Sequence, residues 1–178
     1  MEMRTAAEWL NPVKAGGIAA YLIASASCGV AAVTTANPRI ARLAAALGLL
    51  DAVLLLDIAF DWRWRLYDWL RRQAVAGQWY EQRHWPQVVT LVILAMLLLA
   101  AVGSARRRFP SPPGAALAIE GALLSAGCWA MEVISLHMTD SLLYHHAGPF
   151  MVISFIWLLA SSLTSVGILR AAIVSRRA

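Results

Sequence analysis

The sequence predicts an all-α fold, namely a polytopic integral membrane helix bundle of about five transmembrane helices plus an aromatic, arginine-rich interfacial helix after the second. The first observation is composition: 60% of the 178 residues are hydrophobic and 14% are charged, against roughly 45 to 50% and about 25% in soluble globular domains. The second is that three segments of bilayer-spanning length carry no charge at all. The third is that arginines cluster beside the apolar segments, at the expected level of lipid head groups.

The three charge-free segments, 15–36, 87–105 and 147–169, are predicted to be the first, third and fifth spans. Two further apolar segments are interrupted only by acidic residues and give spans at about 42–61 and 114–136. The whole chain, 1–178, is thus expected to form a single transmembrane domain. The serines and threonines of the fifth span indicate a small-residue face for close helix packing.

The segment 61–86 contains five of the eight tryptophans, interleaved with arginines. Aromatic rings favour the head-group zone, so an interfacial helix that continues from the second span is expected. Steps of four and three residues place several of its charges, together with Asp57, on one helical stripe able to form ion pairs. The same surface can face a partner or ligand, and its candidate docking residues are Asp61, Trp62, Arg65, Asp68, Trp69 and Arg72.

Four acidic residues fall inside the predicted spans: Asp51, Asp57, Glu120 and Glu132. A charge at the bilayer centre costs on the order of 3 kcal/mol even on gentle scales, so each is a candidate functional residue. The interiors of the apolar segments contain no lysine or arginine. These carboxylates therefore cannot all be neutralised by buried salt bridges within one protomer, and protons, bound cations or hydroxyl donors are expected to serve instead.

A metal site is one hypothesis for part of this group. At about 1.5 Å per helical residue, Asp57 and Glu132 are predicted at similar depth, and His137 and Asp140 follow on one helical face. Carboxylate and imidazole groups suit a transition metal, so Asp57, Glu132, His137 and Asp140 are the candidate ligands. The alternative is that His137, His145 and His146 are interfacial residues in a short loop, and that Glu132 hydrogen-bonds Ser135 or a neighbouring helix. No HExxH or paired Glu-x-x-His motif is present.

Several activities lack sequence support. There is no zinc-finger spacing and no phosphate-binding glycine loop, so neither nucleic acid nor nucleotide is an expected partner. The two cysteines, Cys28 and Cys128, form no CxxC pair. Two functions remain: a non-catalytic subunit or amphipathic-ligand-binding protein with a polar site near one membrane face, or a membrane-embedded metalloenzyme or cation- or proton-coupled protein. The expected partners are the lipid bilayer and either another membrane protein or a second copy of the chain.

The arginine distribution gives a prediction of sidedness. Positive loops are retained in the cytoplasm of bacteria, and the compact group Arg106, Arg107 and Arg108 lies on the same predicted side as the C-terminal arginines. We therefore predict a bacterial inner membrane location, with the N-terminus outside and the C-terminus cytoplasmic.

Overall fold

The computed structural model describes residues 11–108, 114–134 and 137–176, except for the side chains of 108, 137–139 and 147. Five helices in this part of the chain are long and apolar enough to span a membrane, which confirms the all-α membrane bundle. The elements in chain order are α1 (Pro12–Thr34), α2 (Pro38–Phe60), α3 (Trp62–Ala76), a 3-10 turn (Tyr80–Gln82), α4 (His84–Arg108), α5 (Ala115–Ile134), α6 (His137–Leu143), β1 (His146–Ala147), β2 (Phe150–Met151) and α7 (Val152–Ser175).

The first two spans begin in the same way, at an asparagine followed by a proline. The side chain of Asn11 accepts a hydrogen bond from the Val13 amide at 2.9 Å, and that of Asn37 accepts one from the Arg39 amide at 3.0 Å. Asparagine satisfies an amide left open by the first turn, and proline at the first helical position has no amide to satisfy. These caps place the start of α1 three residues before the predicted start of the first span.

An interfacial helix follows the second span, as predicted, but it is a separate helix rather than a continuation of α2. Asp61 adopts a left-handed backbone conformation, with φ 57° and ψ 37°, and α3 begins at the next residue. The left-handed residue ends one helix and turns the chain into the next. The predicted stripe of Asp57, Asp61 and Arg65 is consequently broken at this corner.

The fifth span begins later than predicted, at Val152 rather than at residue 147. The intervening residues form a small antiparallel hairpin in which His146 pairs with Met151. Gly148, with φ 69°, and the following proline occupy its turn, a combination that favours a turn over a helix. In compensation, α7 extends to Ser175, six residues beyond the predicted end.

Four of the spans, α1, α2, α5 and α7, form the bundle core, and α4 packs on its outside against α5. Glycines allow close packing between α5 and α7: a β-carbon at Gly121 would lie 2.6 Å from the Ala160 carbonyl oxygen, and one at Gly167 would lie 2.5 Å from the Ala118 amide. Such approach is typical of membrane helix pairs. The outward side of α4 exposes large apolar residues to the lipid, namely Val89, Val92, Ile93, Met96, Leu97 and Leu99.

Candidate functional site

The first part of the site is a buried arginine at the start of α3. Because Asp61 turns the chain, Arg63 points back into the bundle, and only 5% of it is exposed. Its Nε donates to Asp57 Oδ2 at 2.7 Å, and its backbone amide donates to Asp57 Oδ1 at 2.8 Å. Asp57 therefore neutralises the guanidinium and also satisfies an open amide in the first turn of α3.

A second carboxylate completes the pairing of this guanidinium. Arg63 Nη1 donates to Glu132 Oε2, and the Tyr144 hydroxyl donates to Glu132 Oε1 at 3.0 Å. The ring of Trp157 lies against the guanidinium, with its centroid 5.3 Å from Arg63 Cζ. Arg63 of α3 thus contacts residues of α2, α5 and α7. Tyr144, in the loop before β1, is linked to it through Glu132. We call Asp57, Arg63, Glu132 and Tyr144 the buried ion network.

Arg63 and Tyr144, the two members of this network that lie outside the spans, keep their protons. Burial lowers the pKa of Arg63, but Glu132 and Asp57 outweigh it, so the pKa lies above its ordinary value. Burial and the charge of Glu132 raise the pKa of Tyr144. The guanidinium therefore stays charged and the phenol stays a hydrogen-bond donor across the physiological range.

Three of the four intramembrane acids pair with an arginine, so salt bridges within the protomer do not neutralise all four, as expected. Asp57 and Glu132 share Arg63, and Glu120 binds Arg106 Nε at 2.5 Å. Both arginines lie just beyond the apolar segments, where the side chain can reach inward. Asp51 differs from the other three: it is fully buried, and neither carboxylate oxygen has a hydrogen-bond partner in the described part of the chain.

The predicted metal ligands are only partly brought together. Asp57 and Glu132 contact the same guanidinium, and Asp140 lies in the first turn of α6. The side chain of His137 lies outside the described residues, so the four-ligand hypothesis stays a prediction. Among the described residues, no three His, Cys, Asp or Glu side chains are grouped so that they could hold a metal ion.

A cleft opens from the buried ion network toward the membrane face. Its volume is about 270 Å³, and Lys14 lies on its wall, where its Nζ contacts Asp61 Oδ2 at 3.0 Å. The rings of Trp64 and Tyr144 lie nearby, with centroids 5.9 Å apart and planes tilted by 35°. We call this space the polar cleft; it borders Arg63, Glu132 and Tyr144 of the buried ion network.

The second part of the site is a pocket between α3, the 3-10 turn, α4 and the end of α5, also of about 270 Å³. Arg83 Cζ lies 3.6 Å from the Tyr80 ring centroid, and Arg71 Cζ lies 5.8 Å from it. None of the described residues that line this interfacial pocket is acidic. They are Tyr67, Leu70, Arg71, Ala74, Trp79, Tyr80, Arg83, Pro86, Gln87, Thr90, Val133 and Ile134.

The predicted docking residues of α3 lie outside both cavities or at their edge. Trp62, Arg65 and Trp69 are exposed, as are Asp68 and Arg72. Asp61 is half-buried at the corner and takes part in the polar cleft. The segment therefore has two sides, an exposed one that carries most of the predicted residues and an inner one formed by Arg63 and Ala74.

Sequence reasoning missed Arg63, Arg71, Arg83 and Tyr144. Nothing in the run Trp62-Arg63-Trp64-Arg65 distinguishes the buried arginine from the exposed one, since the left-handed turn at Asp61 sets the helix phase. No protein-family model, characterised protein or solved structure matches this chain. The site is accordingly interpreted from its own geometry.

Proposed function

We propose that this protein is a non-catalytic membrane protein that binds an amphipathic molecule with an anionic head group in the interfacial pocket. The observation that carries the proposal is a pocket with two arginines, no acidic lining residue among those described, and apolar walls. An anion would meet uncompensated positive charge there. A phospholipid of the surrounding bilayer has the matching chemistry, and it is the ligand we propose.

The position of the pocket supports a lipid rather than a water-soluble anion. Pro86 and Thr90 belong to the first turns of α4, and Val133 and Ile134 end α5, so the pocket lies where two spans leave the apolar layer. Below it, α4 exposes Val89 and Ile93. A head group bound by the arginines would leave its acyl chains along this apolar surface.

The aromatic residues would fix the arginines for this role. Arg83 donates from Nη1 to the Tyr80 carbonyl at 2.9 Å and stacks on the same residue's ring. A guanidinium held on one face by an aromatic ring retains donors for a phosphate oxygen. Arg71 approaches the ring more loosely and is exposed, so it can reorient toward a head group.

Lipid binding measured on the full chain in detergent tests this proposal. Native mass spectrometry should show retention of phosphatidylglycerol in preference to phosphatidylcholine. The double variant Arg71→Gln, Arg83→Gln removes two charge-assisted contacts and should weaken phosphatidylglycerol binding by roughly tenfold or more. Arg72→Gln is the matched control, because Arg72 is exposed on the same helix and does not line the pocket. Equal retention of both lipids, or equal losses in both variants, would reject the proposal.

The alternative function, a metalloenzyme or cation- or proton-coupled protein, uses the carboxylates of α2 and α5. If the protein is a metalloenzyme, Asp57 and Glu132 have to release Arg63 in order to bind the metal ion. That exchange is opposed by the short charge-assisted contacts that both carboxylates make with Arg63. Elemental analysis of protein purified under metal-replete conditions discriminates between the lipid-binding protein and the metalloenzyme. We expect less than stoichiometric transition metal, whereas stoichiometric metal that disappears in Glu132→Ala would favour the metalloenzyme.

We also propose the location and orientation from the arginine distribution. Five membrane crossings would put the start of α1 and the end of α7 on opposite sides of the membrane. With the start of α1 outside a bacterial inner membrane, the polar cleft and the interfacial pocket would lie on the outer side. Reporter fusions after Arg108 and after His146 should report cytoplasmic and external locations respectively. The reverse result would invert the orientation, and two fusions on one side would contradict five spans.

A further inference from the structure

A column of buried polar groups lies inside the bundle, apart from the interfacial pocket. In the described part of the chain, hydroxyl groups on α5 and α7 and both oxygens of Asp51 are buried without a hydrogen-bond partner. The serines are Ser125, Ser154, Ser161 and Ser165. Unsatisfied groups of this kind are costly in an apolar medium, and buried water is their usual partner.

The order of these groups along the bundle follows from contacts between the helices. A β-carbon at Gly17 would touch both Ile58 and Trp157, which places these residues at one level. Thr35 and Ser175 bond 2.7 Å apart, so α1 and α7 run parallel. A β-carbon at Gly48 would meet Cys28, so α2 runs antiparallel to α1.

Heights above the Trp157 level can then be counted at about 1.5 Å per residue. Asp51 lies about 10 Å above it, between Ser161 at about 6 Å and Ser165 at about 12 Å. Gly121 approaches Ala160 and Thr164, which puts Ser125 about 2 Å above the level, while Ser154 lies about 4 Å below it. Successive groups thus differ in height by about 6 Å or less along the bundle, and buried water is the usual bridge between unpartnered groups of this kind.

The lower end of the column meets the buried ion network. Ser125 lies seven residues before Glu132 on α5, and hence on the same helical face. Tyr21 of α1, 1% exposed, lies close to Ser125 and Cys128 and within electrostatic range of Arg63 and Glu132. The polar cleft is lined by both Arg63 and Glu132.

The upper end of the column is closed. Beyond Asp51 the bundle is filled by a cluster of small apolar side chains that includes Ala31, Ala44, Ala118 and Ala171. The titratable groups at this depth are Cys28, which faces Asp51 from α1, and Glu120 of α5, which is paired with Arg106.

We infer that Asp51 is a proton-binding site in the membrane interior, reached from the polar cleft through water held by Tyr21, Ser125 and Ser161. A proton from water in the cleft forms an O–H bond on the Asp51 carboxylate and returns by the same route. A carboxylic acid there donates one hydrogen bond, and the serine hydroxyls accept it directly or through water. The site loads and unloads from one membrane face.

Infrared spectroscopy of the full chain in liposomes tests this inference. The wild type should show a carbonyl band of a protonated carboxyl group that declines as pH rises, and Asp51→Asn should lack it. Transfer to heavy water should shift the band quickly in the wild type. Ser161→Ala removes one hydrogen-bonding station and should slow that shift by roughly tenfold. Ser162→Ala is the matched control, because Ser162 is exposed on the same helix.

Three results would overturn the inference. The first is a wild-type spectrum without a titrating band that depends on Asp51. The second is an unchanged exchange rate in Ser161→Ala, which keeps the test valid even if Asp51→Asn does not fold. The third is loss of the band at constant pH on addition of NaCl but not of choline chloride, because that result would assign a sodium ion rather than a proton.

Discussion

Arg63 and Arg83 lie at the same membrane face, and each guanidinium lies against an aromatic ring, yet their surroundings differ. Arg63 is 5% exposed and contacts two carboxylates, whereas Arg83 is half-buried and contacts the carbonyl and ring of Tyr80. The charge of the first is compensated inside the protein. The charge of the second is not compensated by any described residue that lines its pocket. The comparison separates an arginine that holds helices together from one that is available to a ligand.

Removal of the buried guanidinium should have the largest effect on stability. Arg63→Met leaves Asp57 and Glu132 buried beside each other without a counter-charge, which should lower the free energy of unfolding by about 3 to 5 kcal/mol. Thermal unfolding in detergent measures the loss. Arg65→Met is the matched control, because Arg65 is two residues away and exposed, and it should unfold like the wild type. Equal unfolding temperatures for the two variants would show that Arg63 does not hold the bundle.

Removal of the Tyr144 hydroxyl should have an intermediate effect. Tyr144→Phe leaves the ring in contact with Trp64 but deprives Glu132 Oε1 of its donor. The expected loss is about 1 to 3 kcal/mol, because the acceptor is a buried carboxylate. The same unfolding assay applies, with Tyr67→Phe as the control. A loss as large as that of Arg63→Met would mean that the phenol, rather than the guanidinium, is the main partner of Glu132.

The smallest change in stability is expected from the interfacial pocket. Arg71→Gln should alter the free energy of unfolding by less than about 0.5 kcal/mol, because its side chain is exposed. Its effect should appear instead in lipid binding, and the preference for phosphatidylglycerol should weaken as ionic strength rises. Unfolding of the wild type should respond less to the same salt, since the buried ion network is screened less. A salt-independent lipid preference would argue against a head group held by charge.

The spans and the buried ion network differ in how far the sequence predicts them. Apolar length alone locates the spans, since a helix that crosses the bilayer needs about 20 residues. Equal depth places Asp57 near Glu132, and the structure brings both to one guanidinium. The identity of that guanidinium was not predictable, because a single left-handed residue, Asp61, rotates α3 so that Arg63 faces inward and Arg65 outward.

The interfacial pocket was predicted only as a region. Tryptophan and arginine density indicates the segment 61–86, but the predicted docking residues lie mainly on the exposed side of α3. Arg71 and Arg83 meet at Tyr80 because the chain turns between α3 and α4, and helical periodicity carries no information on such a turn. Ser125, Ser161 and Asp51 likewise share a column only through the packing of three helices.

The sequence by itself determined the class of protein and the number of spans, because hydrophobicity acts locally along the chain. The tertiary structure decided which charges are compensated. Arg63 pairs with Asp57 and Glu132, Arg106 with Glu120, and Asp51 is left with unpartnered hydroxyls at its own depth. The physical reason is that a charged pair forms only where helix packing brings a long arginine side chain to the acid, and no arginine of the described residues bonds to Asp51.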